Sequence, residues 1–160
     1  MMTSLLLAQY ALVQSARGAL LDYCATLAPT DFTAPIPTFN NSSLRDLLVH
    51  VANAYQNWLG VVGQNQPRCY FDPAATPDVE AVRQHFQEVD KLVISYCTHV
   101  GDDWQTAKPY TISKRSEPLT LTPLVLFTHA LTHEFHHKGQ LLSMSRQLGY
   151  TPVDTDVIRF

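Results

Sequence analysis

The chain has 160 residues, 46% of them hydrophobic and 16% charged, with 11 Lys+Arg against 14 Asp+Glu for a net charge of −3. A chain this apolar is not disordered, and its length suits one domain spanning residues 1–160. Its slight acidity excludes an electrostatic grip on nucleic acid or on an anionic membrane. The charged fraction is below the quarter or so of an average globular domain, as expected if some surface is hidden in a partner copy. The N-terminal apolar run, Leu5 to Ala8, is too short for a signal peptide, and no run reaches the length of a spanning helix. The three cysteines, Cys24, Cys69 and Cys97, lack metal-ligand spacing and read as free or buried thiols. A cytoplasmic protein is expected on these grounds.

Proline and polar clusters divide the chain into four helical segments. In the first, residues 3–27, Leu5, Leu12, Ala16, Leu20, Tyr23 and Leu27 fall on one face at period 3.6, and Pro29 follows. The second, residues 43–64, opens with Ser43 and Asp46 at capping-box spacing and carries a stripe from Leu44 to Val62. The third opens at Thr76-Pro77 and runs to Gly101 on Val79, Val82, Phe86, Val89, Val93, Cys97 and Val100. The fourth opens at Thr122-Pro123 and ends at Gly149, a C′ residue. Four such helices predict an all-α four-helix bundle. The long 101–122 connection alternates apolar and polar residues in Tyr110–Ser113 and Leu119–Leu121, which predicts a short hairpin around Lys114-Arg115-Ser116-Glu117.

Four of the seven histidines fall between 129 and 137. His133 and His137 are four apart, one turn along a single helical face, where two imidazoles can share a metal ion. His136 points about 100° away from His137, and His129 flanks the pair one turn earlier. A third ligand must come from elsewhere, and His50, mid-helix at the edge of the second stripe, is the candidate. His85 and His99 fall off their stripe and read as surface or capping residues. Gln140, Asn53 and Asn57 are candidates to orient a ligand or substrate, against an ordinary role as solvated or interhelical amides.

His133-Glu134-Phe135-His136-His137 also matches H-E-x-x-H, which in a zinc protease makes the glutamate a general base. Gly139 and Ser143 stand out of register for the extended motif, and no Glu follows Glu134 to act as third ligand. Glu134 precedes Lys138 by four residues, the order favoured for a surface ion pair.

The stretch Ser43-Leu-Arg-Asp-Leu-Leu-Val-His50-Val51, together with His133-Glu-Phe-His-His137-Lys138-Gly139-Gln140-Leu141, resembles the DinB/YfiT-like family of metal-dependent enzymes. That family's second motif reads H-x-x-H-H-R-G-Q; Lys138 stands here in place of the arginine. The resemblance covers nearly the whole chain. It implies an up-down-down-up bundle, often homodimeric, with a nickel- or zinc-type ion on His50, His133 and His137. Some relatives resemble thiol S-transferases that use a low-molecular-weight thiol; others have no assigned activity.

A three-histidine ion leaves a position where a thiol would ionise or a water would become a hydrolytic nucleophile. The expectation is therefore a metal-dependent transferase or hydrolase. The rival is a non-catalytic metal-binding or stress-response protein whose ion is structural, with His129 nearest to closing the shell. The fourth segment is apolar on two sides: Leu126, Ala130, Leu141, Met144 and Leu148 beside the histidines, Leu124, Leu131, Phe135 and Leu142 opposite. A homodimer through the fourth helix, or cover by the 101–122 connection, is expected on that second side.

Overall fold

The computed structural model describes residues 1–113 and 115–160. Four long helices form the bundle: α1 (Met2–Cys24), α3 (Leu44–Tyr55), α4 (Val79–Val100) and α5 (Pro123–Gln147), with a one-turn α2 (Pro29–Thr33) after α1. A π-helical turn, Gln56–Val62, carries α3 onward without a break. The sequence places the second helix well: Ser43 accepts from the Asp46 amide, and Asp46 accepts from the Ser43 amide, closing the expected box. Thr122 caps α5 over Pro123, and Gly149, at φ +92°, ends it in a conformation that suits glycine.

Three local expectations need correction. The cap of α4 is Asp78, which accepts from Ala81 N, rather than Thr76-Pro77. Thr76 is instead buried, with its hydroxyl donating to the Asp72 carbonyl and touching His85. In α1, Leu5 and Leu12 are exposed while Ala16, Leu20, Tyr23 and, just beyond the helix, Leu27 are buried as expected, and one buried row runs Leu6, Tyr10, Val13, Arg17, Leu20 and Cys24. That row has the 4-3-4-3-4 spacing of a bundle seam; a charged residue at its centre conceals it from an apolar count. The hairpin exists, but its first strand is β1 (Lys108–Tyr110), not 110–113. It pairs antiparallel with β2 (Leu119–Leu121), Tyr110 opposite Leu119. Of the expected turn residues, Lys114 lies outside the described residues.

Contacts between helices give their directions. The start of α1 meets the end of α4, where Trp104 Nε1 donates to Thr3, and Asp22 near its end pairs with Arg83 near the start of α4. These two helices are antiparallel. Gly60 faces Leu92 and Gly63 faces Tyr96, so α3 and α4 run parallel. Trp58 meets His129 while Leu47 and Met144 line one cleft, so α3 and α5 are antiparallel. The order is up-down-down-up. Close approach of α3 and α4 requires glycine at 63, where a Cβ would lie 2.6 Å from the Tyr96 ring. No described helix is long and apolar enough to cross a membrane.

The second side of α5 is partly covered within the chain. Leu131 is buried and Leu124, Phe135 and Leu142 are half-buried. Trp104, fully buried, packs edge-on to Phe127 at 5.7 Å near the start of α5. The C-terminal tail returns along the helix: Lys138 Nζ donates to the Thr155 carbonyl and to Asp156, each at 2.9 Å, and Arg159 reaches Ser15.

Candidate metal centre

Antiparallel packing brings His50 of α3 against His133 and His137 of α5. His133 Nε2 lies 3.2 Å from His50 Nε2 and 3.1 Å from His137 Nε2. The three rings each offer one nitrogen, all within 4.8 Å of one another. Two nitrogens on one tetrahedral ion at ~2.0–2.1 Å stand about 3.3 Å apart, so the spacing fits a shared divalent ion. The donor set also fits, since imidazole suits zinc, nickel, copper and iron alike.

Burial lowers the pKa of all three rings. His133 is pushed down to about 4, first by desolvation and then by the neighbouring histidines. His50 and His137 are held below the usual histidine value, again by desolvation first. The rings are therefore neutral near pH 7, with lone pairs free to coordinate. Gln140 supplies the tautomer: its Oε1 is 2.6 Å from His137 Nδ1 and accepts that proton, which leaves Nε2 as the donor to an ion. Gln140→Leu should weaken zinc binding by roughly 10–100-fold with the fold intact, measured by competition against a chelator. Unchanged affinity would remove Gln140 from the site.

The remaining histidines do other things. His129 is set edge-on to Trp58, ring centres 4.6 Å apart, and does not join the converging trio. His136 is exposed beside His137. His85 stacks on Phe71 at 4.1 Å, a packing role rather than a surface one, while His99 is exposed as expected. Asn53 exchanges two hydrogen bonds with the Phe71 backbone, and Asn57 accepts from Tyr70. Both amides clip the segment after the π turn onto the helix. The trio sits between two clefts of about 510 Å³ each, one containing Asn53, Asn57, Trp58 and Arg68, the other Thr38, Asn40 and Gln140.

Glu134 overturns the expected surface ion pair. It is buried and does not pair with Lys138. Arg17 of α1 grips it with both arms, Nε to Oε1 at 2.8 Å and Nη2 to Oε2 at 2.9 Å, and Tyr55 donates to Oε2 at 2.6 Å. Arg17 also reaches Asp90 of α4 at 2.9 Å and lies over the Phe86 ring. Both carboxylate oxygens are thus committed to Arg17 and Tyr55 rather than to the histidine centre, a further point against the protease reading of H-E-x-x-H. Lys138 turns to the C-terminal tail, a segment that the i, i+4 rule ignores. Sequence reasoning missed Arg17, Tyr10 and Asp90, and it read Tyr55 only as part of the apolar stripe of the second helix. The available signal was an arginine in the middle of the Leu6–Cys24 seam.

The buried cysteines of the core lie apart from this chemistry: burial pushes the Cys24 thiol up to about 12 and the Cys97 thiol up to about 11, which keeps both protonated near neutral pH. No curated protein matches the chain. The sequence profile of the DinB family matches residues 1–160, the full length described by the bundle and its histidine centre, and the chain belongs to the DinB family.

Proposed function

We propose that this chain binds one divalent transition-metal ion, zinc or nickel, through His50, His133 and His137, and uses it in a thiol-transfer or hydrolytic reaction on a small molecule. The observation that carries the reading is the convergence of three neutral imidazole nitrogens at one-ion spacing beside open clefts. An ion there would supply Lewis acidity to a thiol or water reaching its open side. His50, His133 and His137 hold it, and Gln140 keeps His137 in the coordinating tautomer. A purely structural ion would want a closed shell; His129, the residue nearest to closing it, packs against Trp58 instead. Zinc titrated into metal-free protein should bind at one per chain in calorimetry. Failure to bind zinc, nickel or cobalt would overturn the reading.

The same proposal includes a homodimer through the fourth helix, α5, on the side where it meets α1. Leu5, Leu12 and Val125 are exposed there, and a cleft of about 370 Å³ is lined by Leu12, Leu131, Phe135 and Val157. An apolar cleft beside an exposed leucine is a candidate interface. At micromolar concentration the protein should sediment at twice the chain mass, and Leu12→Asp, exposed and therefore harmless to the core, should shift it to the monomer. A monomeric wild type would refute the dimer.

A further inference from the structure

We infer that the cleft shared by His50, His133 and Arg68 receives small molecules that carry an anionic head group, with Arg68 holding that group while the other end faces the three histidines. The inference deepens the metal reading above and rests on it.

Charge is the first argument. Among the described residues lining the cleft, Arg68 is the one charged side chain and no carboxylate is present. Arg17, Arg45 and Arg83 are each paired with a carboxylate. Among the described residues, Arg68 is in no ion pair. Three neutral imidazoles do not cancel the charge of a divalent ion, and the acid nearest in sequence, Glu134, is already neutralised by Arg17. In a chain of net charge −3, this cleft is a positive island.

Placement is the second argument. Arg68 stands at the exposed mouth, on a segment that the Asn53–Phe71 and Asn57–Tyr70 hydrogen bonds pin to α3. Its backbone is therefore positioned relative to His50, three residues before Asn53 on the same helix. The π turn that begins at Gln56 widens the helix where Asn57 and Trp58 face the cleft, and such turns recur at functional sites. Trp58 and Ile112 add apolar surface to the same cleft. The volume, about 510 Å³, is that of a small-molecule site. A guanidinium fork is suited to carboxylate and other oxyanions.

The test uses four thiols of nearly one size, HS–CH2–CH2–X, titrated into zinc-loaded protein: 3-mercaptopropionate, 2-mercaptoethanesulfonate, 2-mercaptoethanol and cysteamine. Zinc content is measured first. Wild type should prefer the anionic pair over the neutral thiol by about tenfold, and the neutral thiol over the cation. Arg68→Gln should bring the anionic pair down to the neutral thiol while zinc stoichiometry and the affinity for 2-mercaptoethanol stay unchanged; Arg68→Lys should restore part of the difference. The order of carboxylate and sulfonate names the preferred head group. Full zinc content with no preference among the four, or a preference that survives in Arg68→Gln, overturns the role of Arg68 and leaves the metal site standing. Wild type that holds no zinc overturns the metal reading and this inference with it.

Discussion

Arg17→Met is expected to destabilise the folded chain by about 3–5 kcal/mol, because it leaves the Glu134 carboxylate buried with Tyr55 as its remaining partner. Arg17 and Glu134 are 4% and 6% exposed, so water cannot replace the lost guanidinium without opening the bundle. Asp90 is more exposed and can rehydrate, and it keeps its bond from Tyr10 at 2.6 Å. The penalty therefore falls on Glu134. The double variant Arg17→Met/Glu134→Leu removes both charges and should recover most of the loss, since a buried pair is often no better than well-packed apolar side chains. Urea unfolding followed by circular dichroism reads both effects. A cost below about 1 kcal/mol for Arg17→Met would mean that Glu134 is neutralised or solvated in the folded protein, contrary to the bidentate geometry. The same network ties α1, α3, α4 and α5 at the level of the histidine turn. Loss of Arg17 should therefore loosen the approach of α3 to α5 on which the centre depends.

His133→Ala should reduce zinc affinity by at least ~100-fold, more than the loss expected for a group that merely orients a ligand. His133 is the middle of the trio, with its Nε2 within 3.2 Å of both other nitrogens. Without it, His50 and His137 form a two-ligand site on separate helices. His137→Ala should behave similarly. His129→Ala and His136→Ala should stay within about threefold of wild type, because neither ring joins the converging set. Elemental analysis after dialysis, with chelator competition for affinity, separates the four variants. Equal retention in His133→Ala and His129→Ala would refute the assignment. Because His133 is only half-buried, its truncation should leave unfolding stability of the metal-free protein little changed, so metal loss cannot be mistaken for misfolding.

Much of the centre was legible because it depends on local periodicity. His133 and His137 share a face on any helix, wherever that helix packs. His50 was legible for a related reason: it sits at the margin of an apolar stripe, and a stripe must face the bundle. Helix ends were readable where side-chain chemistry is decisive, as at Ser43 with Asp46, Thr122-Pro123 and Gly149. They were less so at Thr76, where a nearby carboxylate at position 78 makes the better cap.

Glu134 marks the boundary of that kind of reasoning. From its neighbours alone it was a surface partner for Lys138 or a protease base. Its actual partner, Arg17, is 117 residues away, and no spacing rule reaches that far. The first half of the face of α1, Leu5 and Leu12, was misjudged for the same reason, since an arginine reads as solvent-facing until its buried acid is known. The two-sided apolar pattern of α5 likewise acquired part of its explanation from afar, in Trp104 and the returning C-terminal tail, whose Val157 lines a cleft with Leu131 and Phe135.

By itself, then, the sequence determined which side chains share a helical face, where most helices begin, and that three histidines could meet. Covalent geometry and the 3.6-residue period settle those matters within a few turns. Only the tertiary structure decided that α3 and α5 run antiparallel at a distance bringing His50 within 3.2 Å of His133. It likewise turned Glu134 into the bundle and left Arg68, among the described residues, in no ion pair beside the cleft. Those outcomes depend on which surfaces exclude water together, a property of the whole packed chain rather than of any segment.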